Sequence, residues 1–520
     1  MRFVHLPFLF MSAALAGCTV GPNFVAPVGP TATAYLPSSE QQPAGAGQPQ
    51  AILADGPQSG WWHAFGSAEL DSLVERAMAH NQTLAASNAT LAASREQVRA
   101  IAGKQLPQID ANAGISQQQV NLASFGFSSG AFGINGNPDF QLYSVGGGIS
   151  YDLDLFGGLR RQVEQAAAQA QAQQRQTEAA HLTLAGQVVN QVLTIAAIRA
   201  NIAVQQAILD DDLRNLDLTQ KRQTAGEGTL VEVLNAQSQY TADRGSLPVL
   251  EQQLAVARHL LAILVGVQPA ELGPADIDLA NLKLPAEVPV TLPSALVHKR
   301  PDILQAEAEL HASTAAIGIA TAKLYPDITL GATLTQGSPA IGNLLTNSFR
   351  GYDVFAGLSA PIFHGGTLKA ERAAAVDRAQ ASEATYRQTV LSAFGQVADL
   401  LSALQTDART VAMRTEAEAV ARHSLQLSRR SFQVGNSGIL QVLDSERLYQ
   451  RASADLVMTR SQQLLNVARL YVATAGGWTT PEKTGTAGSG VAVPGNPASA
   501  PLTACNRSLH PGGTLPACAG

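Results

Sequence analysis

The stretches PQIDANAGISQ (107–117) and PDITLGATLTQ (326–336) decide the fold of this chain. Each begins at a Pro that closes a helical segment and then alternates. In the first, Ile109, Ala111, Ala113 and Ile115 fall on one face and Asp110, Asn112 and Ser116 on the other. In the second, Ile328, Leu330, Ala332 and Leu334 oppose Thr329, Thr333 and Thr335. Each has a companion with the same period, through Val145, Ile149, Tyr151 and Leu153 and through Tyr352, Val354 and Leu358. Runs of about ten residues with period 2 have the length of a strand that crosses a membrane. A soluble hairpin with one dry face gives the same pattern. The connections, ASFGFSSGAFGINGNPD (123–139) and GSPAIGNLLTNSFRG (337–351), are rich in Gly, Ser and Asn. Four strands cannot enclose a wet lumen, and lipid does not tolerate open strand edges. Transmembrane strands here therefore require several copies to pool them, and three copies would supply twelve.

The strands belong to a duplicated frame. LVERAMAHNQTLAASNATLAASREQVRAIAGKQLPQI from Leu73 matches LVHKRPDILQAEAELHASTAAIGIATAKLYPDI from Leu296, aligning Pro107 with Pro326. LDLFGGLRRQVEQAAAQAQA (153–172) matches PIFHGGTLKAERAAAVDRAQA (361–381). GEGTLVEVLNAQSQYT (226–241) and GNSGILQVLDSERLYQ (435–450) share a leading Gly, a Val-Leu pair and a Tyr, with Asn235 in one where the other has Asp444. Each half thus reads helix, Pro, strand, loop, strand, Gly-Gly, long helix, Gly turn, long helix.

The long helices are unusual. From Leu159 to Gln223 there is no Pro, and Gly occurs only at Gly186. At 1.5 Å per residue such a run is roughly 100 Å of helix, longer than a globular domain accommodates. A second run extends from about Leu368 to Val434. AAAQAQAQQRQTEAA (166–180) interleaves Ala with Gln on all sides. A helix of that kind packs against neighbours on both flanks while water wets its other faces, as in the wall of a tube. A coiled-coil stalk would need sustained apolar heptads, and the run has none.

Composition limits the function. Apolar residues are 46% but aromatic residues only 5%, charged residues are 14%, and the net charge of −6 offers no basic face for nucleic acid. Walker A, HExxH and GxSxG motifs and spaced Cys/His clusters are all missing, and the ten His are scattered. The sequence implies no enzyme, cofactor or metal.

MRFVHLPFLFMSAALAGC opens the chain with one Arg, a short apolar run and small residues, a secretory signal over residues 1–17. Leu15-Ala16-Gly17-Cys18 resembles a lipobox, which would make Cys18 the lipidated first residue. Ordinary cleavage after the Ala14-Leu15-Ala16 stretch would instead leave Cys18 a plain thiol. Thr19 rather than Asp after Cys18 suits transfer to an outer membrane. The tail 479–520 is rich in Gly, Pro, Ala and Ser, is expected to be flexible, and carries Cys505 and Cys518. The expected organisation is a lipidated extended segment 18–66, repeat 1 over 67–293, repeat 2 over 294–478, and that tail.

In this order the motifs resemble the outer-membrane efflux channels of the TolC and OprM type, and most of all their lipoprotein, NodT-like branch. The resemblance runs from Cys18 to about Trp478. It rests on Trp62 with Phe65, Arg300-Pro301-Asp302-Ile303, Ala322-x-x-Tyr325-Pro326, Asp154-Leu155-Phe156-Gly157 and the paired Gly turns. It implies an α+β membrane protein: a homotrimer with a twelve-stranded transmembrane β-barrel, continued by a long α-helical periplasmic barrel with a small mixed α/β equatorial belt. It implies a passive channel for drugs or other small molecules, fed by an RND-type inner-membrane transporter through a periplasmic adaptor. A duct for secreted protein uses a similar trimer, and a pore-free periplasmic scaffold is the reading of a different class.

Gly226 and Gly435 would then reverse the helical hairpins at the periplasmic tip. Val233, Leu234, Val442 and Leu443 would face the adaptor. Leu440 and Asp444 look like the residues that line the family's periplasmic constriction, with Arg447 one turn on. The alternative for Asp444 and Arg447 is an i, i+3 surface pair. Glu232 is expected to brace the two hairpins, with Ser437 standing where TolC carries an Arg.

Overall fold

The computed structural model describes residues 19–29, 34–37, 49–54, 56–57, 59–119, 121, 139–274, 277–344, 346 and 350–474. All lie in one compact unit, Met1–Trp478, and the second unit, Thr479–Gly520, lies outside them, as do Cys18, Cys505 and Cys518.

The alternating stretches are strands β2 (Gln108–Gln119), β3 (Asp139–Asp152), β5 (Asp327–Ser338) and β6 (Arg350–Ser359). They form one antiparallel sheet in the order β2-β3-β5-β6, which leaves β2 and β6 as edges. Register carries the alternation across the whole sheet. Ile109 lies opposite Ile149, Ile149 opposite Ala332, and Ala332 opposite Val354. The adjacent row, on the other face, is Asp110, Gly148, Thr333 and Asp353. One face is therefore apolar from edge to edge although none of the described residues covers it: Ile109, Tyr352 and Val354 are each at least three-quarters exposed.

The helices follow the same order. α1 (Ala68–His80) and α2 (Gln82–Gly103) precede β2, and α3 (Gly158–Thr224) and α4 (Leu230–Val265) follow β3. The second half has a short α5 (Pro293–Leu296), α6 (Pro301–Ala322), α7 (Thr367–Gln433) and α8 (Ile439–Thr474). α3 and α7 have 67 residues each, about 100 Å of helix. α2 and α4 both lie along α3, and α6 and α8 lie between α3 and α7. The protomer is thus a row four helices wide, α2/α4, α3, α6/α8, α7, hung from the sheet in the strands' own order.

Sequence alone reads one helix from Leu73 to Pro107; the structure has two. Asn81 adopts an extended backbone there, and its side-chain oxygen accepts the Leu84 N–H at 3.0 Å, capping α2. In the second half Pro301 begins α6 and makes the equivalent break. Four residues before α3 stands Asp154, the one non-glycine residue with positive φ (44°) among the described residues. Its carboxylate accepts the Leu159 and Arg160 N–H groups at 2.8 and 2.9 Å, which offsets the backbone strain by satisfying orphan donors of the helix.

The main core lies about midway along the helical row. Parallel β1 (Gln50–Ala54) and β4 (Glu287–Thr291), the 3-10 turn Trp61–Phe65, α1 and the end of α8 gather around Val188, Val192 and Leu193 of α3. Trp61 stacks on Tyr471 with centroids 5.4 Å apart. α3 and α4 each contain a window long and apolar enough to cross a membrane, although Val188, Val192 and Leu193 of α3 are buried in the protein core. An extended strap, residues 19–29, runs over α3 and α6. Buried Arg161 donates to the Val20 and Gly21 carbonyls at 3.2 and 3.3 Å and to Asn23 Oδ1 at 2.8 Å. Gly21 lies so close to Gly318 that a Cβ on it would meet Gly318 Cα at 2.5 Å, so the strap needs small residues at this crossing.

Candidate functional site

The far end of the helical row is made by the two Gly turns, and they are built alike. Gly226 and Gly435 both have φ 79°, a left-handed conformation that favours glycine. The Gly226 N–H reaches Gln223 O at 3.0 Å and the Glu227 N–H reaches Arg222 O at 2.9 Å. Gly435 to Phe432 and Asn436 to Ser431 repeat those bonds at 3.0 and 2.9 Å. Both are Schellman motifs that satisfy the last carbonyls of α3 and α7.

The Val-Leu pairs mostly point inward. Val233, Val442 and Leu443 are buried, and Leu234 alone of the four is exposed. Val442 and Leu443 join Leu425, Phe432 and Ile439 in a small apolar cluster. Their expected role as outward-facing residues is corrected accordingly: a hairpin end this far from the main core needs its own apolar contacts to hold together. The exposed apolar residues there are Leu230, Val231, Leu234, Val434 and Leu440.

Glu232 does not cross between hairpins. Its carboxylate accepts the Thr229 N–H at 2.8 Å while Thr229 Oγ1 accepts the Glu232 N–H at 3.3 Å, a capping box for α4. The T-x-x-E signal for it is legible at 229–232. The hairpins are tied instead by Arg222, whose guanidinium lies 4.7 Å over the Phe432 ring and donates to the Phe432 carbonyl at 3.3 Å.

Leu440, Asp444 and Arg447 lie along one exposed side of α8, at helical spacing. Together with Asn235, Ser238 and Gln239 of α4 they line a groove of about 580 Å³. Asn235 and Asp444, which occupy the same position in the two repeats, thus share one groove. Arg447 does not use Asp444 as a partner: its Nε donates to Gln239 Oε1 at 3.0 Å. Asp444 has no ion pair among the described residues, so its carboxylate is free to face solvent or another copy of the chain.

Further from the turn, charged residues that sequence reasoning passed over meet inside the row. Arg429 of α7 donates to Asp211 of α3 at 2.6 Å and to Glu446 of α8 at 2.7 Å, and Asn215 of α3 donates to Glu446 at 3.0 Å. Glu446 and Asp212 are each 1% exposed. Burial raises the Glu446 pKa, with Arg429 opposing. Burial, then the nearby Glu446 and Asp243, push Asp212 up to about 8.

The sequence profile of outer membrane efflux proteins matches residues 73–267 and 292–476, one segment per repeat. The chain is 32% identical over 418 residues to the pyoverdine export outer membrane protein OpmQ of Pseudomonas aeruginosa, covering 80% of this chain and 87% of that one. It is 28% identical over 495 residues to nodulation protein T of Rhizobium leguminosarum bv. trifolii, covering 93% and 100%. The solved outer-membrane channel OprN superposes with a TM-score of 0.78 at 26% identity, over 89% of this chain and 100% of that one.

Proposed function

The chain belongs to the outer membrane efflux protein family, and from that premise we propose that it works as a homotrimer, the exit duct of a tripartite pump for drugs or other small molecules. It is an outer-membrane efflux channel, and its task is conduction rather than catalysis. The observation that carries the trimer is the sheet. Its apolar face needs lipid, and its two unpaired edges need further strands, which three copies supply by joining β6 of one to β2 of the next. The four-helix row under each sheet would close in parallel into a twelve-helix tube through the periplasm. Purified protein should run in detergent at about three times the protomer mass and pass ions in a planar bilayer. A clean monomer that still conducts would overturn this architecture.

At the periplasmic end, the turns at Gly226 and Gly435 with exposed Leu230, Val231 and Leu234 are the surface for a periplasmic adaptor. The adaptor in turn joins the channel to an RND-type inner-membrane transporter. Leu440 and Asp444 converge on the axis as an apolar ring and a carboxylate ring. Because Arg447 is engaged with Gln239, the mutual repulsion of the carboxylates is relieved by a solution cation rather than by Arg447.

Residues 1–17 are the export signal, and Cys18 carries the lipid. Support comes from the strap: the Val20 N–H donates to Phe156 O at 3.1 Å, just past the end of β3, so the strap starts at the foot of the sheet. Cells fed labelled palmitate should label the protein, and Cys18→Ser should abolish the label. Mature wild-type protein without label would refute lipidation. The barrel is a second anchor, so the Ser variant should still insert in part.

A further inference from the structure

Asp212 lies 14 residues before the turn at Gly226, roughly 20 Å up the tube, where α3, α4, α7 and α8 meet. Its neighbours are unequally supplied with donors. Asp243 of α4 accepts from Gln239 at 2.6 Å and from Gln450 of α8 at 2.9 Å. Glu446 of α8 accepts from Arg429 and Asn215 at 2.7 and 3.0 Å. Asp211, next to Asp212 in sequence, takes Arg429 and Arg214. Arg447 of α8 is turned to Gln239. Both oxygens of Asp212 lack a protein donor among the described residues, although the side chain is 1% exposed. The carboxylate of Asp243 is among the neighbours that raise the Asp212 pKa, both by its charge and as a hydrogen-bond partner. Two carboxyl groups bond to each other only when one of them carries a proton.

We propose that Asp212 holds a proton, shared with Asp243, and that this proton is a latch keeping α8 packed against α3 and α4. Asp212 is the member of the pair that keeps the proton, because Asp243 has two amide donors to stabilise its charge and Asp212 has none. Releasing the proton would leave Asp212 charged beside both Asp243 and Glu446, while Arg429 gives its Nη2 to Asp211 and Glu446, with its Nε left over. Repulsion across the α3–α8 seam would then push α8 outward. Because α8 also carries Leu440 and Asp444, the expected outcome is a wider periplasmic end. That consequence rests on the channel reading; the shared proton does not.

The sign follows from linkage. A carboxyl whose pKa is raised in the packed arrangement favours that arrangement fully below about pH 4, the ordinary carboxylate value. The contribution is lost as pH climbs and is gone above about 8. The purified full-length trimer should therefore open more often as pH rises from about 6, then level off above about 8. Asp212→Asn, which is neutral and has the same shape, should remove this dependence while assembling normally. Asp243→Asn removes a like charge and should move the plateau to lower pH. Infrared spectra at neutral pH should contain a buried protonated-carboxyl C=O band that Asp212→Asn deletes. A band unchanged in that variant, or a pH rise that survives it, overturns the proposal. Protein that passes no current at any pH defeats the channel reading, and the infrared band still decides the proton.

Discussion

Leu440→Ala combined with Asp444→Ala should open the resting channel, raising its conductance and admitting a bulky antibiotic that the outer membrane normally excludes. Leu440 is 63% exposed in the protomer, so it has apolar surface to bury against its copies. Closing three such side chains on an axis stabilises the shut state by about 1.5 kcal/mol each, so their loss shifts the balance toward open roughly a thousandfold. Truncating Asp444 one turn away removes the second ring and any cation it holds. The readouts are single-channel conductance and the minimum inhibitory concentration of a large antibiotic. If the double variant forms normal trimers at normal abundance yet conducts like wild type, the constriction lies elsewhere.

Leu334→Arg should prevent assembly in the outer membrane, while Thr333→Arg should be tolerated. The two positions are adjacent near the middle of β5 and differ in face. Leu334 lies in the row Ala111, Gly147, Leu334, Tyr352, part of the uncovered apolar face. A guanidinium in mid-bilayer costs about 2–4 kcal/mol per copy, and a trimer contains three copies. Thr333 lies opposite Asp353 on the polar face, where an Arg gains a carboxylate partner and water. Trimer yield in outer-membrane fractions measures both. Equal yields for the two variants would mean that neither face meets lipid.

Much of the architecture was legible because it is written in local periods. Alternation at 109–115 and 328–334 marks strands whatever surrounds them, and 67-residue runs without Pro can scarcely be anything but helix. Gly226 and Gly435 announce turns because the backbone conformation there selects for glycine. The break at Asn81 is not legible, because an Asn cap inside an apolar-periodic run is a weak signal beside a Pro. The candidate site was legible in part. Leu440, Asp444 and Arg447 share a face by helical spacing alone. The inward turn of Val233, Val442 and Leu443 was not, since it depends on which helix lies alongside. Asp212 sits in an Asp-Asp-Asp run, 210–212, that reads as a solvated surface.

The sequence by itself determined most strands, helices and turns and the duplication, because these depend on backbone preference and on internal repetition. Only the tertiary structure decided which side chains are buried at the tip and which carboxylate has no donor. A helical residue is buried only by what packs against it. The row α2/α4, α3, α6/α8, α7 brings Asp212 against residues 31 and 234 positions away in the chain, Asp243 and Glu446. No local pattern could have placed those three carboxyl groups together.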